Sequence, residues 1–257
     1  MPNYEVTLEG FTAHNETWDH IFQVDGKRDE VYIHSDVRLI DNTGRELFWG
    51  QKQTAVLGDR NGYPYRVQAG TASSSGGIRT GDHVPYAAPW QRKTGLQVDR
   101  PPMVLWSGDL TEQTAVAITP TIWEWDGGQD LFKTWGRVLV EKGPVIARSV
   151  GNLLTAVGGK PVAVLSDAVM TNVESGLNAL FTTLTYITGQ AGDRPIGTEE
   201  VNGQAVFKPV TLALNSKLAD MVIANNFGYG NGIVGIQYRD SSRLAGNYML
   251  YIKVVKK

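Results

Sequence analysis

Residues 4–11 alternate strictly, with Tyr4, Val6 and Leu8 on one side and Glu5, Thr7 and Glu9 on the other. A period of two predicts a half-buried strand. Val31–Ile40 predicts a second strand, closed by the turn residues Asp41-Asn42-Thr43-Gly44. Further strands are expected at Glu46–Val56, Met103–Trp106, Ala115–Trp125, Ala205–Leu214 and Gly232–Tyr238, and a last one at 246–254. Pro120 lies inside one of them, which predicts an edge position or a bulge.

The period changes in the middle of the chain. Pro144 can open a helix, after which Ile146, Val150, Leu153, Leu154 and Val157 recur at helical spacing up to Gly158-Gly159. Ser166-Asp167 reads as a second helix start, followed by the stripe Val169, Val173, Leu177, Leu180, Phe181 and Leu184. The Ser- and Gly-rich stretch Gly70–Gly81 lacks any apolar period and predicts a mobile surface loop. Strands, a helix pair and strands again give an α+β fold, mainly an antiparallel β-sandwich with an inserted helix pair. No change of composition marks a linker. The expected organisation is one domain over 1–257, β-rich to about 135, helical at about 144–186 and β-rich again over 190–257.

Composition narrows the chemistry. The 257 residues include no cysteine, which excludes thiol catalysis, disulfides and thiolate metal sites. Net charge is −2, so there is no basic footprint for nucleic acid. No apolar run reaches transmembrane length, and the N-terminus does not read as a signal peptide. A cytoplasmic protein is the default expectation, with signal-less secretion as the alternative.

One short motif occurs twice. Asp25-Gly26-Lys27-Arg28-Asp29 and Asp126-Gly127-Gly128-Gln129-Asp130 both read D-G-x-x-D, each after an apolar run. Two carboxylates across a turn suit a hard cation, which collects six to eight oxygens. Asp25, Asp29, Glu30, Asp126 and Asp130 are therefore the candidate metal ligands, with calcium as the candidate cofactor. The segment Val24–Ile33 resembles, over about ten residues, the first calcium loop and strand of C2 domains. Where those carry D-P-Y-V, this chain reads Asp29-Glu30-Val31-Tyr32-Ile33, without the proline. Acidic turns also serve simply as turns, because Asp bonds its own backbone there.

Trp123-Glu124-Trp125 sets two indoles on one strand face, and Tyr229 sits in a glycine-rich turn. Trp123, Trp125 and Tyr229 are the candidate ligand-binding residues, as aromatic platforms for sugars or a partner. No nucleophile elbow, phosphate loop or H-E-x-x-H pattern occurs, so no catalytic residue is assigned. These features favour a non-enzymatic, calcium-assisted binding protein whose ligand is a membrane surface, a glycan or another protein. One alternative is a toxin-like or defence effector acting on membranes through its helix pair. The other is a carboxylate-dependent glycan hydrolase, which would set two carboxylates in a Trp-lined cleft.

Overall fold

The computed structural model describes residues 2–17, 28–58, 65–85, 100–127, 130–157, 170–172, 193–202, 204–207, 209–241 and 244–257. The fold is α+β and mainly β, a sandwich-like pair of sheets sharing one apolar core.

The first sheet is built around β1 (Asn3–Asn15) and β15 (Asn247–Lys256), which pair antiparallel over their length. β14 (Ile233–Arg239) continues this sheet on the far side of β15. β7 (Met103–Asp109) and β6 (His83–Val84) share the other edge of β1. β1 begins with the expected phase, Tyr4, Val6 and Leu8 being fully buried. At Gly10 the ladder slips by one residue, and Phe11 and Ala13 become the buried pair. Gly10 has φ +158, and a Cβ there would collide with the Val84 carbonyl. The bulge therefore requires glycine, and it lets one strand keep its apolar side inward through a change of phase.

The second sheet centres on β2 (Val31–Asp41) and β8 (Thr114–Glu124), paired from Val31↔Glu124 to Asp41↔Thr114. β13 (Val210–Leu214), β9 (Met170–Asn172) and β10 (Arg194–Pro195) extend it beside β8. β3 (Glu46–Gln53), β4 (Val56–Leu57) and β5 (Arg66–Val67) extend it beside β2. β11 (Thr198–Val201) and β12 (Gln204–Phe207) form a separate hairpin.

Pro120 lies in the interior strand β8, where an edge or a bulge was expected. The β13 pairs end at Leu212↔Ile118 and the β10 pairs begin at Pro195↔Trp123, so Pro120 falls in a gap between two partners. The missing N–H costs no ladder bond there, and the Pro120 carbonyl accepts from the Tyr238 hydroxyl.

Helix α1 runs from Asp130 to Val157, starting fourteen residues before the expected position, with Pro144 inside it. Phe132, Trp135, Val138 and Leu139 form the stripe that extends it N-terminally, and they pack under Ile146, Val150 and Leu154 in the same apolar cluster. Phe132 meets Tyr32 and His34 edge-on, so α1 covers the face of β2 that carries them. The second expected helix, at 166–186, lies outside the described residues except for 170–172, which form β9 and pair with β13. A short helix that the pattern did not predict, α2 (Ser216–Ala224), is capped by Asn215, whose side chain accepts from the Leu218 N–H.

The segment Gly70–Gly81 is a loop folded back on itself and anchored to the core at Ile78. Ile78 is fully buried and exchanges two backbone hydrogen bonds with Asp29, while Ala72 and Ser73 bond back to Gly77 and Gly76. Asp82 accepts from Thr71 and from the Arg79 N–H. The glycines permit the tight folding-back, and internal hydrogen bonds hold it.

Candidate functional site

The register of β2 against β8 brings Asp29 and Asp126 to neighbouring strand ends. The Trp125 N–H donates to the Glu30 carbonyl at 2.7 Å, so Asp29 and Asp126 lie at the same end of adjacent strands. Asp25 and the side chain of Asp130 lie outside the described residues; Asp130 is the first residue of α1. Among the described residues, no three His, Asp or Glu side chains are grouped to hold a metal ion.

Asp29, expected as a metal ligand in an acidic turn, is buried and committed to protein donors. One of its oxygens accepts from the Thr17 N–H at 2.7 Å and from the Tyr248 hydroxyl at 2.5 Å. The other contacts Thr17 Oγ1 at 2.8 Å. Thr17 Oγ1 also lies 2.5 Å from Glu124. From there the chain continues through Arg194, which ion-pairs with Glu124 at 2.7 Å and with Asp240 at 2.9 Å. Asp240 accepts in addition from the Gly197 and Thr198 N–H groups. All of these polar groups are buried.

This network joins both sheets at one end of the sandwich. Thr17 follows β1 and Tyr248 is on β15, while Glu124 and Arg194 belong to β8 and β10. Glu124 and Asp240 share one guanidinium, and a single Thr17 hydroxyl hydrogen faces both Asp29 and Glu124. Both contacts can be hydrogen bonds only if one carboxyl carries a proton and donates to Thr17. Burial pushes Asp29 up to about 6, against the opposing bonds from Tyr248 and Thr17 and the charge of Arg194. Asp29 and Glu124 are both buried within this arrangement.

The aromatic candidates separate. Trp123 is fully buried, stacked with Tyr32 and packed against Phe132, Trp135 and Phe207, so it belongs to the core and offers no platform. Trp125 is half-buried, and the Arg66 guanidinium covers its ring at 3.9 Å, with Glu30 acting electrostatically on Arg66. Tyr229 is exposed and leans on Tyr251, with ring centroids 5.2 Å apart.

The surface most unlike an ordinary exterior was not expected from sequence. Every residue of β3 is exposed or half-exposed, including the consecutive Leu47, Phe48 and Trp49 at 43%, 49% and 40%. Among the described residues β3 pairs with β2 alone, leaving one backbone edge free. Beside it, a cavity of about 380 Å³ is lined by Arg38, Glu46 and Trp49 from the sheet and by Val140, Gly143 and Pro144 from α1. Arg38 is buried. It ion-pairs with Asp36 at 2.7 Å and with Glu46, and donates to the Leu139 carbonyl at 2.8 Å. The Trp49 indole N–H donates to Asp36 at 2.7 Å, which fixes the ring at the cavity mouth. A Cβ on Gly143 would collide with the Arg38 guanidinium, so a glycine in mid-helix is what admits the arginine. The sequence signal was present in the run Leu47-Phe48-Trp49, which breaks strand alternation on a segment flanked by polar residues.

No protein-family model matches this chain, and no curated protein matches it. None of the helices among the described residues is long and apolar enough to cross a membrane.

Proposed function

We propose that this protein acts by binding, without catalysis, and that its ligand is another protein engaged along β3 and the adjoining rim of α1. One observation carries the reading: three consecutive large apolar residues stand exposed on a strand whose outer backbone edge is free among the described residues. An exposed apolar edge is a liability unless something pairs with it, because its N–H and C=O groups template another strand. Edge strands bind extended partners through main-chain hydrogen bonds, with side-chain pockets adding specificity. The cavity between Trp49 and Pro144 would serve as such a pocket.

A glycan platform is less favoured, since Trp123 is core and Trp125 lies under Arg66. A hydrolase is disfavoured because Glu124 is buried in an ion pair with Arg194. Calcium assistance is not required, because Asp29 is satisfied by Thr17 and Tyr248.

The test is photochemical. A benzoyl-phenylalanine in place of Phe48 should give discrete cross-linked species in cells producing the protein. The same analogue in place of Gln237, exposed on β14, should not. Absence of any cross-linked species from position 48 would overturn the reading.

A further inference from the structure

We infer that the occupant of the β3 edge is β3 of a second copy of this chain, paired antiparallel about a two-fold axis at Trp49. The inference rests on the reading of β3 as the partner-binding edge. Its first support is the direction of the backbone groups. The Thr54 N–H donates to the Ile33 carbonyl at 2.9 Å. Bonded and open pairs alternate along an antiparallel ladder. The pairs Ser35↔Lys52, Val37↔Gly50 and Leu39↔Phe48 are therefore the bonded ones toward β2. Trp49, Gln51 and Gln53 then direct their N–H and C=O groups to the free edge. An outward-facing residue at the centre is what a symmetric hydrogen-bonded pair needs, so Trp49 can exchange both of its bonds with its own counterpart.

The second support is what this register sets side by side. Phe48 falls opposite Gly50 of the other copy, an aromatic beside a residue with no side chain of its own. Within one chain Phe48 already lies over Gly50, where a Cβ would stand 2.8 Å from the ring. Aromatic residues across from glycine compensate for its missing packing. A register centred on Gly50 would instead set Phe48 against Lys52. The centre of the strand carries neither proline nor lysine, the residues that usually protect an edge. A two-fold contact of this kind is self-limiting and closes at the dimer.

The lack of cysteine makes the register directly testable. Sedimentation velocity of the full chain should show a concentration-dependent dimer. Phe48→Lys should raise its dissociation constant about tenfold or more, as loss of a central aromatic anchor does. Under mild oxidation, Trp49→Cys should form a disulfide dimer, since residues in a bonded pair stand about 5.5 Å apart. Gln53→Cys should not, because its counterpart would be roughly 27 Å away along the strands. Near-UV circular dichroism of each variant separates loss of dimer from loss of fold. A chain that stays monomeric at every concentration overturns the inference, as does a dimer indifferent to Phe48→Lys. If the chain is monomeric while position 48 cross-links to a different protein, self-pairing fails and the binding reading stands. If position 48 cross-links to nothing, both fail.

Discussion

The Tyr248 hydroxyl donates to the Asp29 carboxylate at 2.5 Å, tying β15 of the first sheet to the segment that opens β2 in the second. The two residues are 219 positions apart in sequence. Burial raises the pKa of both groups, and the Asp29 charge raises that of Tyr248 further, so the phenol stays protonated and acts as donor.

Tyr248→Phe should destabilise the protein by about 1.5–3 kcal/mol, the range for a hydrogen bond to a charged group whose partner stays buried. Urea unfolding at pH 7.5 measures it. A change below about 0.5 kcal/mol, within the usual range of neutral surface substitutions, would mean that the network does not hold the sheets together.

Arg194 neutralises Glu124 and Asp240, both buried. Removing one partner of a buried ion pair strands the other charge and costs about 3–5 kcal/mol. Arg194→Met should therefore lower Tm severely in thermal unfolding at pH 7.5. A change of less than about 1 kcal/mol would contradict this.

Asp29 and His34 contribute in opposite directions to the pH dependence of stability in the same window. Asp29 has a folded value of about 6 against 3.8 unfolded, so between these values the folded state holds more protons, and stability falls as pH rises. His34, buried under α1, is lowered from 6.5 to about 4 by desolvation, partly offset by a bond with Gln51. Between 4 and 6.5 the unfolded state holds more protons at this residue, and stability rises with pH. The intact protein should thus show a shallow profile from pH 4 to 6. Asp29→Asn should make Tm climb with pH across that range, and His34→Gln should make it decline. The slopes, not the absolute stabilities, carry the test. Identical slopes in all three proteins would refute the assignments.

Two glycines of α1 should respond oppositely to alanine. Gly136 has nothing within 4 Å of where a Cβ would stand, so Gly136→Ala should stabilise by about 0.5–1 kcal/mol through helix propensity. Gly143→Ala should destabilise despite the same propensity gain, because the new methyl displaces Arg38 from its contacts with Asp36, Glu46 and Leu139. Thermal unfolding of the two variants is sufficient. A stabilising Gly143→Ala would show that the arginine moves aside at no cost.

Much of the sheet framework was legible in the chain. The alternation of Tyr4, Val6 and Leu8, and of Tyr248, Leu250, Ile252 and Val254, each identifies a strand with one buried side, because side chains of a strand alternate between faces by geometry alone. The class of fold followed from such local patterns. What they could not decide was partnership. Asp29 and Asp126 read as turn carboxylates, and only the pairing of β2 with β8 and the approach of Tyr248 and Thr17 converted Asp29 into a buried structural node. Trp123 and Trp125 share a strand face in sequence, yet one is sealed by Phe132 and Trp135 from α1 and the other by Arg66. Pro144 reads as a helix start by its own preference. Tertiary packing overrode that preference, because the stripe from Phe132 to Leu139 buries enough apolar surface against the sheet to carry the helix through a proline. The free edge of β3 belongs to the same category. Its residues are written in the chain, but whether a strand is central or at an edge depends on which segments, distant in sequence, arrive beside it.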